Sequence, residues 1–437
     1  MKHIISILIL IASVLGQTTG KIAGTVLEKG SSNPLIGTNV YLANTSYGTA
    51  TDGDGRFTMI NIPPGKYDLR VDMIGYKSVQ VNELLVSVNR TSSLNIEMET
   101  TVIAGEVVTV EVARLAQKKD QTGTIKNISG EQINAMAVES VGNVVNMQAG
   151  VVNGHFRGGR YGEVTYMIDG VQVDETFGGS SAAVDVQPEA VQDLEVITGT
   201  FNAEYGRAMS GVVNIVTRDG GPKFEGSASG AMSFYSTDNT DIFIGLTPEL
   251  NRSQDLKFSL GGPLLGDRVT FFTNVRTQDN KGHLNGYRLF NVDDFSTFYG
   301  DDPSLWISEK SGDSTYVPMN TGDHKSILLK FGFKLFKGIR FSLLNSYSDD
   351  SWFGYDHSYK YNPDGRGGSY KETLYNAFQL NHMINPGLFY ELKLSYMDNY
   401  SGSYLYKDPL DSNYVHDKYH NNYGSGFFTG GQAKNHS

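Results

Sequence analysis

Apolar and polar side chains alternate with a period of two through much of the second half of the chain. In residues 388–396, Leu and Tyr side chains at the even positions alternate with Glu391, Lys393 and Ser395. Similar alternation covers residues 224–234, 256–260, 269–276 and 327–335. Because successive side chains of a strand point to opposite faces, each segment predicts a strand with one apolar and one polar face.

Aromatic content and loop lengths indicate which kind of sheet these strands form. Residues 1–220 contain 11 aromatic side chains, whereas residues 221–437 contain 38. Short connections at 262–267, 337–338 and 385–387 alternate with long ones near 236–254, 278–324 and 349–371. Membrane β-barrels combine outward apolar residues, aromatic girdles and this loop alternation, whereas a soluble sandwich rarely holds two polar loops longer than ~15 residues. Residues 221–437 therefore predict a transmembrane antiparallel β-barrel.

The first residues predict export. Lys2 and His3 precede an apolar run over 4–15, and Gly16 follows it. This pattern is typical of a secretory signal peptide, here residues 1–16, with a membrane-anchoring helix as the alternative. No later stretch reaches 18 consecutive apolar residues, so a membrane-embedded chain must cross as a closed barrel.

Composition excludes several function classes. The formal charge is −11, so no basic surface is available to follow a phosphate backbone, and nucleic-acid binding is not expected. The chain has no cysteine, which excludes disulfides, thiolate zinc sites and cysteine nucleophiles. His416 and His420 are four residues apart, but Tyr, Asn and Gly surround them, so a helical metal pair is not expected. We predict no enzyme activity and no cofactor.

Residues 21–99 predict a small β-sandwich. Six short alternating segments are separated by turn signals at 30–34, 52–55 and 63–65, which is the spacing of an all-β sandwich. The Asp-Gly-Asp-Gly run at 52–55 lacks the spacing and closing Glu of an EF-hand, and it predicts a hairpin turn instead.

The short segment 105–112 is extended and β-branched, and it leaves two interpretations open. One is a last sandwich strand or a linker. The other is a strand donated to the sheet edge of a partner, in which main-chain hydrogen bonds supply the affinity. The residues of interest for partner binding are Glu106, Val107, Val108, Thr109 and Val110.

Residues 113–220 predict a compact α+β domain. Ser129 and Gln132 form the pattern of a capping box, and Ser140 can cap a second helix. Asp169 and Gly170 lie between alternating apolar residues, which is a strong hairpin signal.

Three phrases in this domain resemble the plug domain of TonB-dependent outer-membrane receptors. They are ISGEQINAMAVESVGNVVNMQAGVV at 128–152, FRGGRYGEVTYMIDGVQV at 156–173 and VQDLEVITGTFNAEYGRAMSGVVNIVTR at 191–218. The preceding segment GTVLEKGSSNPLIGTNVYLANTSYGTATDGDGRF resembles the carboxypeptidase regulatory-like domain, a transthyretin-like sandwich without catalytic function. In this setting the segment 105–112 is similar to the TonB box.

The resemblance implies a set of plug motif residues. They are Arg157, Gly158, Gly159, Arg160, Asp169, Gly170, Glu204, Tyr205, Gly206, Arg207, Gly211 and Asn214. The glycines can adopt positive φ and allow close backbone approach, as a domain packed inside a barrel needs. The three arginines are expected either to pair with carboxylates on the barrel wall or to lie solvated at the surface.

The complete fold implied is mainly β: a small transthyretin-like β-sandwich, an α+β plug domain and the first strands of a barrel with roughly 22 strands. Seven strands are evident, with an eighth near 424–429. A barrel of ~8 strands is filled by its own side chains, whereas ~22 strands admit a plug. We therefore expect the N-terminal part of a longer protein.

The expected function is TonB-dependent active transport across the outer membrane, with the sandwich and the TonB box in the periplasm. Expected partners are a TonB-type energising protein, outer-membrane lipid, an extracellular ligand (glycan, peptide or metal chelate) and a surface lipoprotein. The ligand is expected among the long loops and near 156–161 and 174–185 of the plug. The alternative is a surface binding or adhesion protein that uses the same scaffold without transport.

Overall fold

The computed structural model describes residues 19–45, 47–88, 90–101, 107–110, 124–160, 162–174, 183–199, 208–266, 268–294, 296–297, 302–305, 307–336, 338–385 and 388–411. The expected signal peptide over 1–16 and the expected eighth barrel strand lie outside these residues. The described chain is mainly β, as predicted.

The N-terminal domain is a β-sandwich of eight strands. They are β1 (Gly20–Glu28), β2 (Asn39–Leu42), β3 (Gly48–Ala50), β4 (Arg56–Ile62), β5 (Gly65–Asp72), β6 (Ser78–Val86), β7 (Thr91–Met98) and β8 (Val107–Val110). One sheet has the order β4-β1-β7 and the other the order β3-β2-β5-β6-β8. Ile22, Val40, Leu69 and Val71 are fully buried between the sheets, because each strand turns every second side chain inward.

A tight turn is present at 52–55, but it joins β3 and β4, which pair with β2 and β1 in different sheets, so the expected hairpin is wrong. The Asp52 side chain accepts hydrogen bonds from the backbone N–H groups of Asp54 and Arg56, and the Gly55 N–H donates to the Asp52 carbonyl. The Asp52 side chain therefore supplies the acceptor for two backbone N–H groups of the turn.

The second domain is built on a five-stranded sheet. Its elements are β9 (Thr124–Ser129), α1 (Gly130–Asn134), α2 (Val141–Asn146), β10 (Val151–Val152), β11 (His155–Phe156), β12 (Val164–Ile168), β13 (Val171–Gln172), β14 (Val191–Thr198) and β15 (Gly211–Thr217). The sheet order is β13-β12-β15-β14-β9, and a 3₁₀ turn over Pro188–Ala190 precedes β14. This domain is referred to below as the plug.

Local sequence signals account for the plug's elements. Ser129 and Gln132 form the capping box of α1, and the Ser140 side chain caps α2. Asp169 and Gly170 both have positive φ, at 49° and 71°, which gives the tight turn between β12 and β13. These three sequence predictions are confirmed.

The C-terminal half forms a seven-stranded antiparallel sheet. Its strands are β16 (Glu225–Ser233), β17 (Ser253–Leu265), β18 (Val269–Asn280), β23 (Thr321–Phe336), β24 (Ile339–Phe353), β25 (Gly368–Asn385) and β26 (Leu388–Tyr404), and β19 (Asn285–Tyr287), β20 (Ser296–Thr297), β21 (Ile307–Ser308) and β22 (Tyr316–Pro318) lie in the loop after β18. Neighbouring long strands pair in chain order, and the sheet is not closed. Short turns and long loops alternate as the sequence predicted.

Burial in this sheet is the reverse of that in a water-soluble core. Leu256, Ile327 and Leu392 are exposed to 45%, 44% and 39%, whereas Asn274 and Lys330 are exposed to 3% and 5%. The buried polar side chains face the plug. The predicted alternation is confirmed, and the polar inner face of this sheet is called the wall below.

The three parts of the chain meet at one end of the sheet. The plug core is continuous with four side chains of the wall, Phe272, Leu328, Leu344 and Tyr375. Arg340, beside the short turn between β23 and β24, lies within electrostatic range of Tyr47 and Tyr67 of the sandwich. The sandwich therefore lies at the short-turn end.

No helix among the described residues has the length and hydropathy of a membrane span.

Candidate functional site

A buried lysine of the wall binds the tight turn of the plug. Lys330 of β23 lies 3.0 Å from an Asp169 carboxylate oxygen and 2.9 Å from one of Asp219. Its ammonium group also donates to the Thr217 hydroxyl at 2.9 Å. Because Lys330 and Asp169 are both almost fully buried, neither charge has water available to replace its partner.

Hydrogen bonds from β15 hold Asp169 in position. The backbone N–H and the hydroxyl of Thr217 donate to the Asp169 carboxylate at 2.9 and 2.7 Å. The Gly170 N–H donates to the Asn214 side-chain oxygen at 3.2 Å. The structure thus brings together three residues of the expected motif, since Asp169 and Gly170 form a turn that is bonded to Asn214 of β15.

A second contact joins α2 of the plug to β17 and β18 of the wall. Arg276 binds Asp255 of the wall at 2.7 Å and Glu139 of the plug at 3.0 Å, and it donates to the Gln187 side chain at 2.8 Å. Lys257 binds the same Glu139 carboxylate at 3.0 Å. Two wall cations therefore share one plug carboxylate just before the N-cap of α2.

A third contact lies nearer the long-loop end of the wall. His324 lies 2.6 Å from Asp350 on the neighbouring strand and 3.4 Å from Asp185 of the plug. The Nδ1 atom faces Asp350, and the Nε2 atom faces both Asp185 and the Ser326 hydroxyl, which is 3.0 Å away. In all three contacts the wall supplies the basic group and the plug an acidic one.

Of the two expectations for the plug arginines, the described ones fit the surface position, since Arg157 and Arg160 are exposed. Arg157 donates within the plug, to the hydroxyls of Thr198 (3.2 Å) and Thr124, and its guanidinium packs against Gly199. The predicted pairing of Arg157 with a wall carboxylate is therefore not what the described residues show. At Arg160 the backbone N–H donates to Glu163, and Arg207 lies outside the described residues.

Two motif glycines permit close packing, as expected. A Cβ atom at Gly211 would overlap the Phe156 ring, and one at Gly159 would overlap the Ser210 side chain. Gly158 has a φ of 78°, which favours glycine. The remaining motif residues Glu204, Tyr205 and Gly206 lie outside the described residues.

The expected position of the ligand near 156–161 needs one correction. Phe156 is only 1% exposed, because it packs under Gly211 into the plug core. Phe156 is therefore a core residue. Tyr161 and residues 175–182 of the two expected ligand regions lie outside the described residues.

The candidate partner-binding segment lies at the edge of the sandwich. The backbone of Val107–Val110 forms β8, which pairs in parallel with β6 through Ser78, Val79, Gln80 and Val81. Glu106 lies outside the described residues, as do the side chains of 107–110. Of the two interpretations left open by the sequence, the structure shows a sandwich strand, and the partner-binding role stays a prediction.

A buried carboxylate marks the contact between the sandwich and the plug. Asp193 of β14 accepts a hydrogen bond from the Val88 N–H at 3.0 Å and one from the Asn127 amide at 3.3 Å. Burial raises the pKa of the Asp193 carboxyl to about 6, although these two hydrogen bonds favour its charged form. Arg90 of the sandwich donates to the Ile125 carbonyl nearby.

Comparisons with known proteins agree with this architecture. A CarboxypepD_reg-like domain matches residues 22–110, and a TonB-dependent Receptor Plug Domain matches residues 117–213. The TonB-dependent transporter Oar of Myxococcus xanthus is 26% identical over 331 residues, which cover 69% of this chain and 31% of that protein. The TonB-dependent receptor SusC of Bacteroides thetaiotaomicron is 28% identical over 247 residues, 50% of this chain and 23% of that protein.

Among solved structures, the siderophore receptor PirA from Pseudomonas aeruginosa aligns over 65% of this chain and 43% of its own, with 16% identity and a TM-score of 0.44. The chain spans less than a third of the length of the two curated relatives. These two relatives are named as a transporter and a receptor. The chain therefore carries a CarboxypepD_reg-like domain followed by a TonB-dependent Receptor Plug Domain, and it is similar to TonB-dependent transporters and receptors.

Proposed function

We propose that this protein is an active import receptor of the outer membrane, in which the plug closes the lumen of a β-barrel. The observation that carries the proposal is the buried contact of Lys330 with Asp169, which ties the plug to a polar wall. When the plug moves, a lumen lined by polar groups can fill with water and solutes. An apolar lumen would not hydrate in this way.

The outer face of the sheet supports a position in lipid. Leucine, isoleucine and aromatic side chains are exposed along β17, β23 and β26, and the six longest strands have 12 to 18 residues. A tilted strand of ~9–11 residues already crosses the hydrocarbon region. The sandwich lies at the short-turn end, and short turns of such barrels face the periplasm, so we place the sandwich there.

Energy for import comes from a TonB-type partner that binds the segment 105–112. A pull on this segment reaches the plug through β9, since β9 is the first described plug element after it. Among the described residues, β9 is an edge strand with β14 as its one partner. Peeling β9 from β14 removes hydrogen bonds one pair at a time, which requires less force than shearing them together.

The ligand enters from the long-loop side, where His324 of the wall meets Asp185 of the plug. It is an extracellular solute of the glycan, peptide or metal-chelate class, and a surface lipoprotein assists its capture.

The test is uptake by cells that express the full-length protein with or without residues 105–112. We expect the deletion to abolish energised uptake of the ligand while binding of the ligand at the cell surface persists. Loss of the TonB-type partner should give the same separation of binding from uptake. Uptake that is unchanged in both strains would contradict the proposal, and binding without uptake in the intact protein would identify an adhesion protein.

A further inference from the structure

The strand β8 occupies a defined position at the edge of the sandwich. Its backbone runs parallel to β6, with Ser78 opposite Val107 and Val81 opposite Val110. The adjoining strand is rigid, because Val79 and Val81 are buried in the sandwich core at 4% and 1% exposure. The backbone of residues 107–110 is therefore paired with a strand that is anchored in the sandwich core.

Chain connectivity explains why this edge receives the segment. The Thr101 N–H donates to the Gly75 carbonyl at 2.9 Å, and Tyr76 forms a bridge with Thr100. The chain thus leaves β7 beside the start of β6. Only residues 102–106 separate this anchor from β8, and so short a tether gives a high effective concentration for pairing.

The opposite edge of β8 is the outer edge of its sheet. The strand order β3-β2-β5-β6-β8 places β8 last in its sheet, and within the described ranges no further strand pairs with it. The outer edge of an edge strand presents main-chain donors and acceptors that can pair with another extended chain. Partner binding at this edge therefore does not require β8 to leave β6.

We propose that the sandwich presents residues 107–110 as a preformed edge strand, and that an extended strand of the TonB-type partner adds to its outer edge. The inference rests on the proposed function, since it specifies how the same segment meets the same partner. The sandwich is then a part of the partner-binding surface, and the sheet of β3, β2, β5, β6 and β8 continues into the partner.

The proposal predicts an order of affinities. A free peptide must lose conformational entropy when it pairs, whereas a strand already held by β6 has lost most of it. The whole protein should therefore bind the periplasmic domain of the partner at least tenfold more tightly than a peptide of residues 105–112. If the sandwich instead blocked access to the segment, the free peptide would bind the partner domain more tightly than the whole protein.

A disulfide between β6 and β8 tests the proposal directly. The chain has no cysteine, so Gln80→Cys with Thr109→Cys in the full-length protein introduces one pair at register partners. The matched control is Thr25→Cys with Asn95→Cys, which are register partners in the parallel pair of β1 and β7. The purified periplasmic domain of the TonB-type partner is the probe, and its affinity is measured by calorimetry before and after oxidation.

We expect both disulfides to form and the oxidised 80–109 protein to bind the partner domain within twofold of its reduced form. A tenfold loss of affinity on oxidation would overturn the proposal, because the partner would then need β8 free. A third outcome is that the 25–95 disulfide forms, the 80–109 disulfide does not, and the partner domain still binds normally. It would overturn the claim that β8 is held against β6, and it would leave the proposed function intact. Failure of the reduced protein to bind the partner domain would overturn the proposed function itself.

Discussion

Lys330 and Asp169 form an ion pair of 3.0 Å between the wall and the tight turn of the plug. The same amino group binds Asp219 in the connection from β15 to β16. One buried cation therefore fixes the plug, the linker that follows it and the wall at a single point. Because Lys330 and Asp169 are both shielded from water, the loss of Lys330 leaves Asp169 as a buried charge without its cationic partner.

We expect Lys330→Met to destabilise the plug by about 3–5 kcal/mol, the range for breaking a buried ion pair. Hydrogen exchange of the amides in β12 and β15 measures the effect, and about 3 kcal/mol corresponds to roughly a hundredfold faster exchange. Lys334→Met in the same strand is the control, since residue 334 is exposed. Equal exchange in the two variants would contradict a fixing role for Lys330.

Docking of the sandwich on the plug should strengthen as the pH falls through about 6. The pKa of Asp193 is raised to about 6 in the docked protein, and it returns towards its ordinary value when the carboxyl meets water. Protonation therefore favours the docked form between about pH 6 and pH 4, by up to about 3 kcal/mol, and above pH 6 this contribution is absent.

The Asp193→Asn variant should lose this pH dependence, because the amide does not titrate and keeps an oxygen for the Val88 N–H. Hydrogen exchange in the sandwich at pH 4.5, 6 and 8 provides the measurement. A pH dependence that persists in Asp193→Asn would assign the titration to another group.

Gly211→Ala should destabilise the plug by about 1–3 kcal/mol, because the new Cβ overlaps the buried Phe156 ring. Gly142→Ala is the matched control. Residue 142 lies exposed in α2, where a Cβ meets only the Ser140 hydroxyl at 3.7 Å, so alanine should stabilise the helix by about 0.5–1 kcal/mol. Thermal unfolding distinguishes the two, and effects of the same sign would show that the Phe156 contact is not decisive.

Leu392→Arg should impair insertion into lipid. An arginine on the lipid face costs about 2–4 kcal/mol at the bilayer midplane. Leu410→Arg is the control, because Leu410 lies beyond the end of β26 at 88% exposure. The yield of folded protein in vesicles is the readout, and equal yields would place Leu392 outside the hydrocarbon region.

Local signals in the sequence predicted much of the fold. The Asp169–Gly170 turn, the Ser129 cap and the alternation around Leu392 depend on neighbouring residues, and each is confirmed. The interactions that form each feature involve residues only a few positions apart, so these features can be predicted without knowing which distant residues they contact.

The site was less accessible to sequence reasoning because its partners are far apart in the chain. Asp169 and Lys330 are 161 positions apart, and nothing near either residue shows which sign the wall carries. Phe156 was expected near the ligand, yet the space left by Gly211 draws it into the core. The segment 107–110 carries strand propensity, but propensity does not select the strand with which it pairs.

The core that the plug shares with the wall has a consequence for biogenesis. Phe272, Leu328, Leu344 and Tyr375 complete the plug's interior, so a plug synthesised before them has an apolar surface that nothing yet covers. These side chains follow the last plug strand by more than fifty residues. Folding of the plug is therefore expected to finish only when the sheet forms, and exposure of its apolar surface until then favours aggregation.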